Sequence, residues 1–99
     1  RADVEVLEAD LRDPAAVARA CAGVRVVYHQ GARPSVPRSV DDPRGSFDVN
    51  VVGTHHVLLA ARAAGARRVV FASSSSVYGD QPELPKHEGL PVNPLSPYA

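Results

Sequence analysis

The chain has 99 residues, 44% of them hydrophobic and 22% charged, which is the balance of a soluble globular domain rather than a disordered segment. Eleven basic residues, nearly all Arg, against eleven acidic ones leave no formal net charge, and this removes the electrostatic footprint of a nucleic-acid binder. No apolar run approaches the ~18 residues that cross a bilayer, the first residues do not read as a secretory signal, and one cysteine excludes an internal disulfide, so a cytoplasmic protein without a metal site is expected.

Val4-Glu5-Val6-Leu7-Glu8-Ala9 alternates apolar with polar residues and predicts a strand. Asp13-Pro14 has the form of a helix start, an N-cap with proline at the first helical position, and Ala15 to Ala22 carry the helix to a stop at Gly23. Val24 to Tyr28 predicts a second strand, nearly continuous in its hydrophobicity as a strand covered on both faces would be. A loop rich in Pro, Ser and Arg is expected from Gln30 to Asp42. From Pro43 to Ala64 the positions Phe47, Val51, Val57, Leu58 and Ala61 fall at helical spacing, with Gly65 placed to cap the end. Val69 to Ala72 predicts a third strand running into Ser73, Ser74, Ser75 and Ser76. Pro82, Pro85, Pro91, Pro94 and Pro97 make residues 76–97 a loop, and Ser96-Pro97 resembles another helix start.

Strand, helix, strand, helix, strand is the alternation of an α/β fold, a parallel sheet covered on both faces by right-handed crossovers. Such a sheet normally has five or more strands. Residues 1–99 are therefore expected to be an internal fragment of one doubly wound, Rossmann-like domain, with the Gly-rich phosphate turn upstream of Arg1. In a sheet of this kind ligands bind at the carboxyl ends of the strands. Here those ends are Asp10-Leu11, His29-Gln30-Gly31-Ala32 and the serine run. Taken singly, each has a plainer role. Asp10 suits a turn or cap, His29 an interior hydrogen bond, Asn50 a polar tie between helix and loop, the serines a solvated loop, Tyr98 packing, and Cys21 burial.

Together the segments are more specific. Glu8-Ala9-Asp10-Leu11, Val27-Tyr28-His29-Gln30-Gly31-Ala32, Asn50-Val51-Val52-Gly53-Thr54, Phe71-Ala72-Ser73-Ser74-Ser75-Ser76-Val77-Tyr78-Gly79-Asp80 and Ser96-Pro97-Tyr98-Ala99 resemble, in order and spacing, the extended short-chain dehydrogenase/reductase family of nucleotide-sugar epimerases and dehydratases. The resemblance spans the whole chain. The loop Arg33 to Ser39, with Leu84-Pro85-Lys86 and Pro94 to Tyr98, is most similar to UDP-N-acetylglucosamine and UDP-glucose 4-epimerases.

The resemblance implies an NAD cofactor, preferred over NADP, a UDP-sugar substrate and a homodimer when full length. Asp10 would meet the adenine amino group, with Leu11 beside the ring. Gln30, Gly31, Ala32, Arg33 and Ser73 would follow the pyrophosphate and nicotinamide ribose. Ser74 and Tyr98 would be catalytic, and Ser35, Ser75 and Ser76 would face the substrate. The family's lysine falls four residues after Tyr98, beyond Ala99, so the fragment alone is expected to be inactive. A free tyrosine ionises only near pH ~10 and needs such a positive charge to serve as a base. It could then take the proton of a sugar hydroxyl while hydride leaves the same carbon, Ser74 holding the oxygen.

Similar dehydratases carry Asp-Glu after the catalytic hydroxyl, where this chain has Ser75 and Ser76, so 4-epimerisation is expected ahead of elimination. Keto-sugar reduction, decarboxylation and dehydration on the same scaffold are the alternatives, with a non-catalytic dinucleotide-binding protein as a third class.

Overall fold

Asp13 opens the first helix as its position predicts. In the computed structural model, which describes residues 3–99, its carboxylate accepts from the N–H groups of Ala15 and Ala16 at 3.1 and 3.2 Å. Pro14 follows, where a missing N–H costs nothing. Helix α1 (Pro14–Cys21) ends before Gly23, whose φ of +75° turns the chain toward strand β1 (Val26–His29).

The segment expected as loop over 30–42 contains a short helix, α2 (Val36–Asp41). Ser35 caps it, its hydroxyl accepting from the Arg38 N–H at 3.2 Å, and Pro37 stands in the first turn. Six residues show too little periodicity for a helix to be read from hydrophobic spacing. The cap is strained: Ser35 has a φ of 106°, where a residue with a Cβ is rarely found.

The single helix expected over 43–64 is continuous in course but not in hydrogen bonding. It begins as α3 (Pro43–Phe47), loosens into a π turn over Asp48–Val52, and resumes as α4 (Gly53–Ala63). At the junction the Gly53 N–H reaches back five residues to the Asp48 carbonyl. A π turn inside a helix often marks a functional position. Gly65, at φ +73°, ends the helix as expected.

Strand β2 (Arg68–Phe71) pairs in parallel with β1, in the register Val26 to Arg68 through His29 to Phe71. Bonds from Arg67 N–H to the Arg25 carbonyl (2.7 Å) and from Ala72 N–H to the His29 carbonyl (3.1 Å) extend the ladder at both ends. α1 packs on α4 through Val17, Cys21, Val57 and Ala60, and Leu11, Val24 and Val27 close the cluster. Burial of Val17 and Val57 is worth about 1.5–3 kcal/mol each. Cys21 belongs to this core and burial raises its thiol pKa, so the packing role is the one it fills.

The strand expected over Val4 to Ala9 does not form. A strand exists through its ladder, and the sheet among the described residues consists of β1 and β2 alone. Val4, Val6 and Leu7 stand exposed, and a groove of about 270 Å³ is lined by both Leu7–Leu11 residues and Val27–Gly31. Within the expected loop over 76–97, Ser75–Tyr78 makes one 3-10 turn, and Asn93 N–H bonds the Val77 carbonyl at 2.7 Å to fold the segment back. No helix among the described residues is long and apolar enough to cross a membrane.

Candidate active site

The carboxyl ends of β1 and β2 open on a cavity of about 160 Å³. Gly31 and Ala32 leave β1, Ala72, Ser73 and Ser74 leave β2, Asn50 and Thr54 reach in from the π turn and α4, and Tyr98 and Ala99 close it. Phe71 and Val77 supply the apolar wall. The lining therefore offers hydroxyl, amide and apolar groups without a charged side chain.

Ser74 is set for one task. Its Oγ accepts the Ser76 N–H at 3.1 Å, capping the 3-10 turn, so the hydroxyl proton is left to donate into the cavity. Tyr98 lines the same cavity. Its N–H donates to Ser39 Oγ at 3.0 Å, and the next N–H, of Ala99, donates to Ser96 Oγ at 3.0 Å. The Ser96 hydroxyl thus serves the N–H three residues on, in the manner of a cap, although residues 96–99 form no helix in the structure.

Asn50 is the polar tie that its position suggested. Its Oδ1 accepts the Arg33 N–H at 2.7 Å and its Nδ2 donates to the Arg33 carbonyl at 3.1 Å, so one amide holds both backbone groups of one loop residue. The Thr54 hydroxyl donates to the Asn50 carbonyl at 2.6 Å. With that proton committed, His29 Nε2 is the donor in its 2.8 Å bond to Thr54 Oγ1. His29 is buried against Phe71, and burial holds its pKa below the ordinary value. It is a neutral structural donor, as an interior histidine should be.

The other expected site residues divide. Asp10, Leu11 and Gln30 line the 270 Å³ groove, and Gly31 lines both the groove and the cavity. Asp10 accepts from Arg12 at its backbone N–H (2.8 Å), Nε (3.0 Å) and Nη2 (2.7 Å), and the Arg12 side chain above all lowers its pKa to about 2. Leu11 sits in a notch left by two glycines. A Cβ on Gly31 would meet Leu11 Cδ1 at 2.8 Å, and one on Gly53 would meet Leu11 Cβ at 2.9 Å. His56 holds the Leu11 carbonyl from α4 at 2.8 Å.

Arg33, Ser35, Ser75 and Ser76 line neither space. The Arg33 guanidinium instead pairs with Asp42 at 2.9 Å over Gly45, while Asp42 also caps α3 by accepting the Gly45 N–H at 3.0 Å. Those two bonds, the backbone one first, lower the Asp42 pKa. Thr54 was findable in the sequence, since it lies one turn after Asn50 on the same helix face. Asp42-Pro43 repeats the cap-and-proline signal of Asp13-Pro14, whereas Ser39 and His56 carry no local signal for bonds to partners 59 and 45 positions away.

The model of the NAD dependent epimerase/dehydratase family matches residues 1–99. The chain belongs to this family. The UDP-glucose 4-epimerase of Mycolicibacterium smegmatis is 56% identical over 75 residues, which are 75% of this chain and 24% of that protein. A UDP-glucose-4-epimerase of Stenotrophomonas maltophila, solved with NAD and formylated UDP-arabinopyranose, superposes with a TM-score of 0.85 at 34% identity, covering 93% of this chain and 28% of that one. A dTDP-glucose 4,6-dehydratase of Streptomyces venezuelae, solved with NAD, superposes at 0.83 with 37% identity, covering 91% and 28%. The chain thus spans about a quarter of the length of the relatives it matches. Within that span the fold is that of the NAD-bound epimerases and dehydratases, a Rossmann-like α/β fold.

Proposed function

We propose that this chain is the central part of the dinucleotide-binding domain of a longer protein, an NAD-dependent nucleotide-sugar 4-epimerase acting on a UDP-hexose or UDP-N-acetylhexosamine. The observation that carries the reading is that Ser74 and Tyr98 line one uncharged cavity beside the side-chain-poor turn Gly31-Ala32. The UDP-glucose 4-epimerases among the relatives give it its substrate class.

The residues present fit a dinucleotide. Gly31 and Ala32 line the cavity with little side chain of their own, which leaves their backbone open to a ligand there. Asp10, Leu11 and Gln30 would hold one end of it along the groove, and Gly31, Ala32 and Ser73 the end nearer Ser74 and Tyr98. When bound, the nicotinamide supplies the acceptor, and then the donor, of the hydride at sugar C4.

Tyr98 would take the proton of the 4-hydroxyl and later return it. Ser74, with its lone pair engaged by Ser76, would donate a hydrogen bond to the same oxygen and hold it through both transfers. Ser75 and Ser76 stand where an eliminating enzyme of the family has an acid and a base, and a serine hydroxyl ionises too weakly to replace either. This supports epimerisation over loss of water.

Product analysis tests the proposal. Full-length protein incubated with NAD and UDP-glucose or UDP-N-acetylglucosamine is expected to give the 4-epimer, seen by NMR, without net NADH. A 4-keto-6-deoxy sugar or released carbon dioxide, with no 4-epimer, would overturn it.

A further inference from the structure

Ser39 has the most deeply buried side chain among the described residues, at 0% exposure, yet it carries a hydroxyl. A buried hydroxyl costs free energy unless it is bonded, and this one is bonded twice. Its proton goes to the Val36 carbonyl at 2.7 Å within α2, and its oxygen accepts the Tyr98 N–H at 3.0 Å from 59 positions further along the chain.

The direction of these bonds is fixed by chemistry. A serine has one proton to give, and Val36 takes it, so a lone pair is what faces Tyr98. Tyr98 in turn has few other ways to satisfy its N–H. Proline precedes it, the Ser96 hydroxyl already serves Ala99, and residues 96–99 belong to no helix or strand whose backbone would accept from it. Ser39 supplies an acceptor from α2 instead. The strained cap residue Ser35 lies one helical turn before Ser39, so α2 connects the loop carrying Arg33 to the backbone of the tyrosine.

We propose that Ser39 is a positioning residue, which sets the depth and direction of the Tyr98 phenol in the cavity by anchoring the tyrosine's backbone to α2. The proposal rests on the reading of Tyr98 as the proton-transfer group. Without the Ser39 oxygen the Tyr98 N–H loses the acceptor it has among the described residues, and the segment 96–99 is free to shift relative to Ser74. A displacement of about 1 Å at a reacting group can cost roughly a hundredfold in rate. Binding of the nucleotide portion of a substrate does not involve the phenol, so KM should move little.

The test uses full-length protein with Ser39→Ala, Ser39→Thr, Tyr98→Phe and, as a second buried serine whose hydroxyl has no partner, Ser46→Ala. Ser39→Ala is expected to lower kcat by about 10- to 100-fold, to leave KM within about twofold, and to speed hydrogen exchange at the Tyr98 amide by about tenfold. Ser39→Thr, which keeps the oxygen, should recover part of kcat and of the amide protection. Ser46→Ala should change neither.

All variants are assayed below their melting transitions. If Ser39→Ala fails to fold, Ser39→Cys carries the test, because sulfur fills the space and accepts weakly. Should Tyr98→Phe be inactive while the Ser39 variant turns over like the wild type, or keeps an unchanged Tyr98 amide, the role of Ser39 is refuted and that of Tyr98 stands. If Tyr98→Phe retains turnover, the tyrosine reading itself fails, and amide exchange alone then decides whether Ser39 anchors this backbone.

Discussion

Replacing Asn50 separates a tie that organises the site from a polar residue that merely fills space. Its side-chain amide accepts the Arg33 N–H at 2.7 Å and donates to the Arg33 carbonyl at 3.1 Å, so Asn50→Ala leaves two backbone groups without these partners. A buried polar group left unpaired costs about 1–3 kcal/mol, and two of them would approach the upper end of that range or pass it. Asn50 and Arg33 are only half-buried, so water recovers part of the loss. A net destabilisation of about 2 kcal/mol is expected. Asn50→Asp is the sharper change. It keeps the acceptor for the Arg33 N–H but sets a carboxylate oxygen against the Arg33 carbonyl in place of a donor. It should therefore be no better tolerated than Ala at neutral pH, despite being nearly isosteric. Thermal or urea unfolding of the full-length protein measures the stability, and NAD titration reads the position of the Gly31 to Arg33 turn, which should bind at least tenfold more weakly in both variants. If Asn50→Asp matched the wild type in melting and in NAD affinity, the tie between the π turn and the loop would have no energetic weight.

Three further outcomes follow from the geometry. Tyr98→Phe should lower turnover by about 100- to 10,000-fold with nucleotide-sugar binding largely kept, and Ser74→Ala should lose less; a Phe variant with a third of wild-type kcat would remove Tyr98 from the mechanism. Gly45→Ala would place a Cβ against Arg33 Nη1 and Asp42 Oδ2, so it should break that ion pair and lower stability by about 1–2 kcal/mol, and an unchanged melting temperature would contradict the contact. Burial depresses the pKa of His29 below 6.5, so the stability linked to its neutral form is complete above pH 6.5 and lost as pH falls toward the folded value. Melting curves between pH 7.5 and 5, as assay conditions on the order of this titration range, should show a slope that His29→Gln reduces.

Much of this fold was legible because its punctuation is local. Asp13-Pro14, Gly23 and Gly65 each act through their own backbone, and they bound α1 and end α4 where the residues indicate. Strands β1 and β2 are short apolar runs and were displaced by only one or two residues. The failures are non-local. Val4 to Ala9 has the alternation of a strand, but alternation describes a face and not a partner, and no ladder reaches it from β1 or β2. The π turn carries Asn50, whose side chain bonds Arg33 seventeen positions back, a pairing that helical spacing does not encode.

The candidate site shows the same division. Strand ends bring Gly31, Ala32, Ser73 and Ser74 together as the parallel-sheet rule predicts. Ser39 was invisible because its role lies in one bond to a residue far along the chain. Ser35, Ser75 and Ser76 were expected at the substrate and stand outside the cavity lining. Ser35 is spent on capping α2, and the Ser76 N–H on Ser74.

The most direct measurement follows the hydrogen at sugar C4. Full-length protein is incubated with NAD and a UDP-hexose carrying deuterium at C4, in ordinary water, and the 4-epimer is isolated and examined by NMR and mass spectrometry. Hydride removal and return at one carbon, with Tyr98 and Ser74 handling only the hydroxyl proton, predicts an epimer that retains its C4 deuterium. Washout of the label into solvent, or formation of a product other than the 4-epimer, would contradict the account.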